Sequence, residues 1–245
     1  NSLNELSKKL DIKLVEHNKY VGGRYSVFSE VAMVPAYLMG LNIKKFKTNI
    51  LDIFFKKEKI KNLINISSKV ANLYLEKKIN SLIIFNYSPQ LNNFAYWCQQ
   101  LLAESLGKKG MGMLPVISPA PQDHHSLLQL YLDGPKNKIF YILSSKSLYN
   151  LKIKKNYFKK NHNFLSNLNL EKIVESQRKA FVEVLKEKKI PFREFHVSSF
   201  SENILGELFS YFMLETALIG SAMKINPFNQ DAVEEVKIIT KKNLT

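Results

Sequence analysis

At 245 residues, 45% of them hydrophobic, the chain is long enough to bury a sizeable core as one large domain or two small ones. The uncharged stretch 79–103 is broken by Asn80, Asn86, Pro89, Gln90, Asn92 and Asn93, so no continuously apolar run reaches the 18 residues of a transmembrane helix. The formal charge of +15 resides in lysines spread along the chain, a compositional bias rather than a nucleic-acid footprint, and a lone Cys98 excludes both an intrachain disulfide and a cysteine-based metal site.

The sequence starts at Asn1 without Met and without a basic-then-apolar leader, which predicts a start inside a longer gene product; the single cysteine fits a reducing, cytoplasmic setting. A first strand is expected at 12–16. Gly22 and Gly23 follow, where the backbone can turn sharply and approach a ligand, and then an apolar helical segment, 27–41, that Pro35 should kink or divide. Strands are expected at 81–87, 112–117, 138–143 and 191–197. Helices are expected at 92–106, 170–188 and 201–223, the last with Ser199, Ser201 or Asn203 as caps and Pro227 beyond its end. The acid-free basic stretch 146–160 reads as a solvated connector. Strand-length apolar runs alternating with helical segments predict an α/β fold, a three-layer αβα sandwich around a parallel sheet, with no internal repeat and no Gly/Ser linker.

Four segments carry chemistry. They are Gly22, Gly23, Arg24, Tyr25 and Ser26; Gln100, Glu104, Ser105, Gly107 and Lys108; Gln122, His124, His125, Gln129 and Leu130; and Phe228, Asn229, Gln230, Val233, Glu234 and Lys237. In this order and spacing they resemble the signatures of the phosphoglucose isomerase family, with Asn229 and Ala232 standing where the family carries Asp and Gly. The resemblance implies a second sugar-isomerase (SIS) domain of flavodoxin-like type spanning 1–245 with a helical tail, its N-terminal companion absent. It also implies aldose–ketose isomerisation of glucose 6-phosphate and fructose 6-phosphate, in glycolysis and gluconeogenesis, through a cis-enediol(ate).

The family match casts Glu104 as the base that moves a proton between adjacent carbons, a task suited to a carboxylate. It casts Arg24 as the cation facing the developing oxyanion, and His125 and Lys237 as the ring-opening pair. Gly23, Arg24, Gln100 and Gln230 are its substrate contacts; no cofactor and no metal are implied. His125 is expected from a neighbouring subunit, hence a homodimer, with a sugar phosphate as ligand and neither nucleic acid nor membrane as partner. The family's Ser/Thr-rich phosphate loop has no counterpart here, which predicts little activity for the chain alone.

Read as residues only, Glu104, His125, Lys237 and Arg24 have structural or solvated alternatives, and His124 and Glu215 compete for the histidine and carboxylate roles. His17, His162 and His196 share no metal-ligand spacing, and Tyr96 and Trp97 read as packing residues. A dual-specificity phosphoglucose/phosphomannose isomerase and a non-catalytic sugar-phosphate-binding module remain open beside the first reading.

Overall fold

Both faces of the central strands are apolar, and both are covered. The computed structural model describes residues 2–50, 55–146, 151–153 and 164–245; His162 and most of the basic 146–160 connector lie outside the described residues. The principal elements run α1 (Ser2–Lys9), a 3₁₀ segment (Gly23–Phe28), α2 (Glu30–Leu38), α3 (Ile43–Lys47), α4 (Lys57–Leu75), β1 (Ser81–Asn86) and α5 (Asn92–Leu106). They continue with β2 (Leu114–Pro119), α6 (Gln122–Ser126), α7 (Leu128–Asp133), β3 (Lys138–Ser145), α8 (Leu170–Glu187), β4 (Phe192–Val197), α9 (Glu202–Ala222) and α10 (Asp231–Leu244).

The four strands form one parallel sheet in the order β2-β1-β3-β4. Because side chains alternate across a strand, Leu82 and Ile84 point to one face with Ile139 and Tyr141, where α4, α5 and α9 cover them. Ile83 and Phe85 point to the other with Phe140 and Ile142, against Tyr131 and the α8 residues Phe181, Val182 and Leu185. This is the expected three-layer α/β sandwich, and near-continuous apolar strands are what a sheet buried on both faces requires.

Two features of the sheet position everything that follows. All strands are parallel, so one edge collects the carboxyl ends Asn86, Pro119, Ser145 and Val197, and connecting helices such as α5 and α8 start at that edge and finish at the other. The chain also leaves β1 for β2 on one side and returns to β3 on the other, which makes the β1/β3 junction a topological switch point.

The expected strand at 12–16 is not formed: those residues are irregular and exposed and pair with no strand among the described residues. Ile12 and Leu14 would share one face of a strand, but both stay exposed with no element packed over them among the described residues, so pairing would bury nothing. The apolar segment 27–41 is divided at Ser29, whose hydroxyl donates to Ser26 O at 2.8 Å, and Pro35 sits inside α2 without ending it. Helix α4 has no counterpart among the sequence expectations; its buried Leu63, Ser67, Val70 and Ala71 follow helical spacing within a lysine-rich stretch.

Helix α9 is long and apolar enough to cross a membrane by length and composition, but it packs on α3, α4 and α5. Its closest approach is at Gly206, where an added Cβ would overlap the backbone carbonyl of Phe46 in α3. Helix propensity favours Ala over Gly by about 1 kcal/mol. Overlap with a backbone atom costs more, so Gly206→Ala is expected to lower stability by about 1–3 kcal/mol in urea unfolding.

An ion pair lies inside this core. Arg193 of β4 bonds Glu215 of α9, reaches the hydroxyls of Tyr141 at 2.9 Å and Tyr211 at 2.5 Å, and stacks over the Tyr141 and Phe195 rings. Glu215 is 1% exposed; burial pushes its carboxyl above the ordinary value, with Arg193 opposing the shift. Breaking such a pair from one side leaves a buried charge. Glu215→Ala is therefore expected to cost about 3–5 kcal/mol, and Glu215→Leu combined with Arg193→Met to recover most of that loss in the same unfolding measurement.

Candidate active site

Arg24 is buried, at 2% exposure, so the fold has to give its donors partners. Nε donates to Ser105 Oγ at 2.9 Å. Nη1 donates to Glu104 Oε2 at 3.3 Å and to Gln230 Oε1 at 2.6 Å, and Nη2 to the carbonyls of Pro227 at 2.7 Å and Asn229 at 2.9 Å. One guanidinium thus gathers the 3₁₀ segment that carries it, the last turn of α5, and the stretch that enters α10.

Helix α5 is amphipathic in a way that presents this site. Cys98, Leu101, Leu102 and Leu106 face the core, while Gln100 and Glu104, one turn apart, share the open side. Gln100 Nε2 donates to Glu104 Oε1 at 3.0 Å, so one carboxylate oxygen is oriented by Gln100 and the other by Arg24. The Glu104 side chain keeps 26% exposure, enough to meet a ligand, whereas Arg24 is enclosed. Every nitrogen of the guanidinium is engaged, so an Arg24 donor reaches a ligand only where Glu104 Oε2 or Gln230 Oε1 gives up the bond it accepts.

A further ring of groups holds this arrangement; Tyr25, Ser105 and Lys108 stood within the family signatures without a role of their own, and Trp97 was expected only to pack. Ser105 takes the Arg24 Nε bond and is hydrogen-bonded to the Tyr25 hydroxyl at 2.9 Å; burial pushes the Tyr25 phenol up, with Ser105 and Arg24 opposing. Trp97 Nε1 donates to Arg24 O at 3.0 Å, so this indole, read from the sequence as packing, also fixes the backbone under the guanidinium. Lys108 Nζ donates to Ser105 O at 3.0 Å and Asn226 O at 2.7 Å, a second tie between α5 and the tail. The signature marked Ser105 and Lys108 by their place one and four residues after Glu104, and the structure supplies what each of them bonds.

Gly23 has neither a left-handed φ nor any atom within 4 Å of where its Cβ would stand. No feature of the folded chain itself demands glycine there; the space beside its Cα is open.

Neither of the other two expected site residues bonds to this cluster among the described residues. His125 is exposed in α6, beyond the carboxyl end of β2, while Glu104 lies in the last turn of α5, which runs back to the amino edge. A six-residue strand separates those edges by about 20 Å. Its neighbour His124 is engaged in packing: stacked on Phe85 at 5.6 Å and hydrogen-bonded to the Tyr87 hydroxyl at 2.5 Å, it is pushed below the ordinary imidazole value by burial. Lys237 lies on the exposed helix α10, where Nζ donates to Glu234 Oε1 at 2.6 Å. Glu215, held by Arg193 in the core, is no part of the cluster.

The family model described as phosphoglucose isomerase matches residues 6–244. The chain belongs to the phosphoglucose isomerase family. Its relatives include a probable glucose-6-phosphate isomerase of Methanococcus maripaludis, 34% identical over 99% of this chain and 56% of the relative, and the glucose-6-phosphate isomerase of Campylobacter jejuni, 32% identical over 99% and 61%. The chain thus spans little more than half the length of these phosphoglucose isomerases. A hypothetical protein from Thermus thermophilus shares the fold with a TM-score of 0.82 at 24% identity, over 99% of this chain and 60% of that one. A glucose-6-phosphate isomerase from Chlamydia trachomatis superposes with a TM-score of 0.71 at 16% identity, over 99% and 55%.

In this phosphoglucose isomerase family member, Arg24→Ala removes the partner of two tail carbonyls and of Gln230. Faster amide hydrogen exchange across 226–230 is expected, with sheet amides unchanged; equal protection of that stretch in the variant would show that Arg24 does not anchor it.

Proposed function

We propose that this chain supplies the proton-transfer part of a glucose-6-phosphate isomerase, with the substrate phosphate held by polypeptide outside these 245 residues. The observation that carries the reading is the convergence of Arg24, Gln100, Glu104 and Gln230, drawn from three distant segments, around one partly exposed carboxylate. Family membership supports it, as do the names of the relatives.

In the reaction Glu104 takes the proton from C2 of the open-chain aldose. The C–H electron pair forms the C1–C2 double bond, and negative charge gathers on the carbonyl oxygen. Arg24 stabilises that charge from a fixed, water-excluded position, a contribution on the order of 3 kcal/mol, or about a hundredfold in rate. Return of the proton from Glu104 to C1, with the C2 hydroxyl proton passing to O1, leaves the carbonyl at C2. Gln100 and Gln230 orient the substrate, and the open space at Gly23 admits it against the backbone.

Ring opening falls to His125, lent by a second copy, and to Lys237. The separation of His125 from Glu104 within one chain supports a site completed between chains. So does apolar surface left uncovered: α2 buries none of its residues, and Tyr37, Leu38 and Met39 are 70–78% exposed, as are Val236 and Ile238 of α10 at 66–67%.

The chain alone is expected to turn over little glucose 6-phosphate in a coupled assay, and addition of the N-terminal half of a relative to restore turnover. In that restored assembly Glu104→Gln should lower kcat by about a thousandfold or more. Neither Glu104→Gln nor His125→Ala should work alone, yet a mixture of the two should regain activity, because a mixed dimer holds one intact site. Retained isomerisation in Glu104→Gln would remove the proposed base, and failure of the mixture to recover would place His125 in its own chain's site.

A further inference from the structure

At the carboxyl edge of the sheet, the end opposite Glu104, a cavity of about 680 Å³ opens beside the β1/β3 switch point. Doubly wound sheets receive ligands in this position, because departing connections on opposite sides of neighbouring strands leave a crevice there. Its size lies in the range that holds a small organic molecule.

Its walls differ in character. The polar wall comes from the strand ends: Ser144 Oγ is hydrogen-bonded to His196 Nδ1 at 3.1 Å, and Ser145 Oγ to the buried Ser88 Oγ at 2.6 Å. Lys146 follows directly, and Lys172 stands in the first turn of the 18-residue helix α8, whose leading amides are already taken, Leu170 N–H by Leu151 O at 2.9 Å and Glu171 N–H by Asn169 Oδ1 at 3.0 Å. No ion pair engages Lys146 or Lys172 among the described residues. Arg178 also lines the space, but Glu175 and Glu194 take its donors. The facing wall is apolar, built from Pro89, Leu151, Leu170 and Val174.

We propose that this crevice binds a nucleoside monophosphate. The two unpaired lysines receive the single phosphate. The strand-end hydroxyls meet the ribose hydroxyls, and the flat base covers the apolar wall. A sugar phosphate has the same anion but no apolar face to set against Leu151, Leu170 and Val174. The site shares no residue with the Glu104 cluster, so it stands or falls apart from the isomerase reading.

Calorimetric titration of the full chain with AMP tests it. Saturable binding is expected, with affinity reduced about tenfold or more in Lys146→Glu. Lys172→Glu should weaken binding similarly, and an acidic residue suits the first turn of a helix, so that loss would not be a loss of folding. Inorganic phosphate and glucose 6-phosphate should compete only weakly. No binding of AMP up to about 10 mM, an affinity untouched by either substitution, or glucose 6-phosphate competing as well as AMP would each overturn the assignment.

Discussion

A buried guanidinium cannot be left with idle donors, and much of this molecule's candidate site follows from that demand on Arg24. Water is excluded from it, so each nitrogen needs a partner, and the partners come from α5 and from the stretch after α9. Satisfying the cation therefore sets where the chain passes on its way into α10 and which way the Glu104 carboxylate turns. A structural requirement and a chemical one are met by the same bonds.

The parallel sheet sorts the remaining residues by edge. Helix α5 carries Glu104 back to the amino edge, whereas α6 holds His125 just past the carboxyl end of β2. Groups separated by the length of a strand cannot act on one small sugar. On the proposed reading a second chain joins them, and the uncovered side chains of α2 and α10 are the surface it would cover. The crevice near Ser144 and Ser145 lies on the carboxyl edge too, close to Tyr87 and its bond to His124.

Most of the architecture was legible in the residues. The runs at 81–87 and 138–143 are apolar on both parities, the mark of strands covered on both faces, and helix α5 ends where its apolar rows end. Failures came where pattern and context disagreed. Residues 12–16 have strand-like composition but no burial partner among the described residues, and composition does not supply one. Helix α4 was hidden because lysines dilute its apolar rows, although Leu63, Val70 and Ala71 mark the buried face.

Sequence by itself determined which chemistry is available: a carboxylate one helical turn from Gln100, an arginine after two glycines, an imidazole pair, and a glutamine followed by a lysine seven positions on. Only the tertiary structure decided which of these meet. Arg24 and Gln230 touch across 206 positions, while His125 lies at the opposite edge of the sheet from Glu104 in the same chain. Local spacing governs neighbours within a turn or a strand, because covalent geometry fixes those distances. Contacts between remote segments depend on how buried surfaces pack and how buried polar groups find partners, and these are properties of the whole fold.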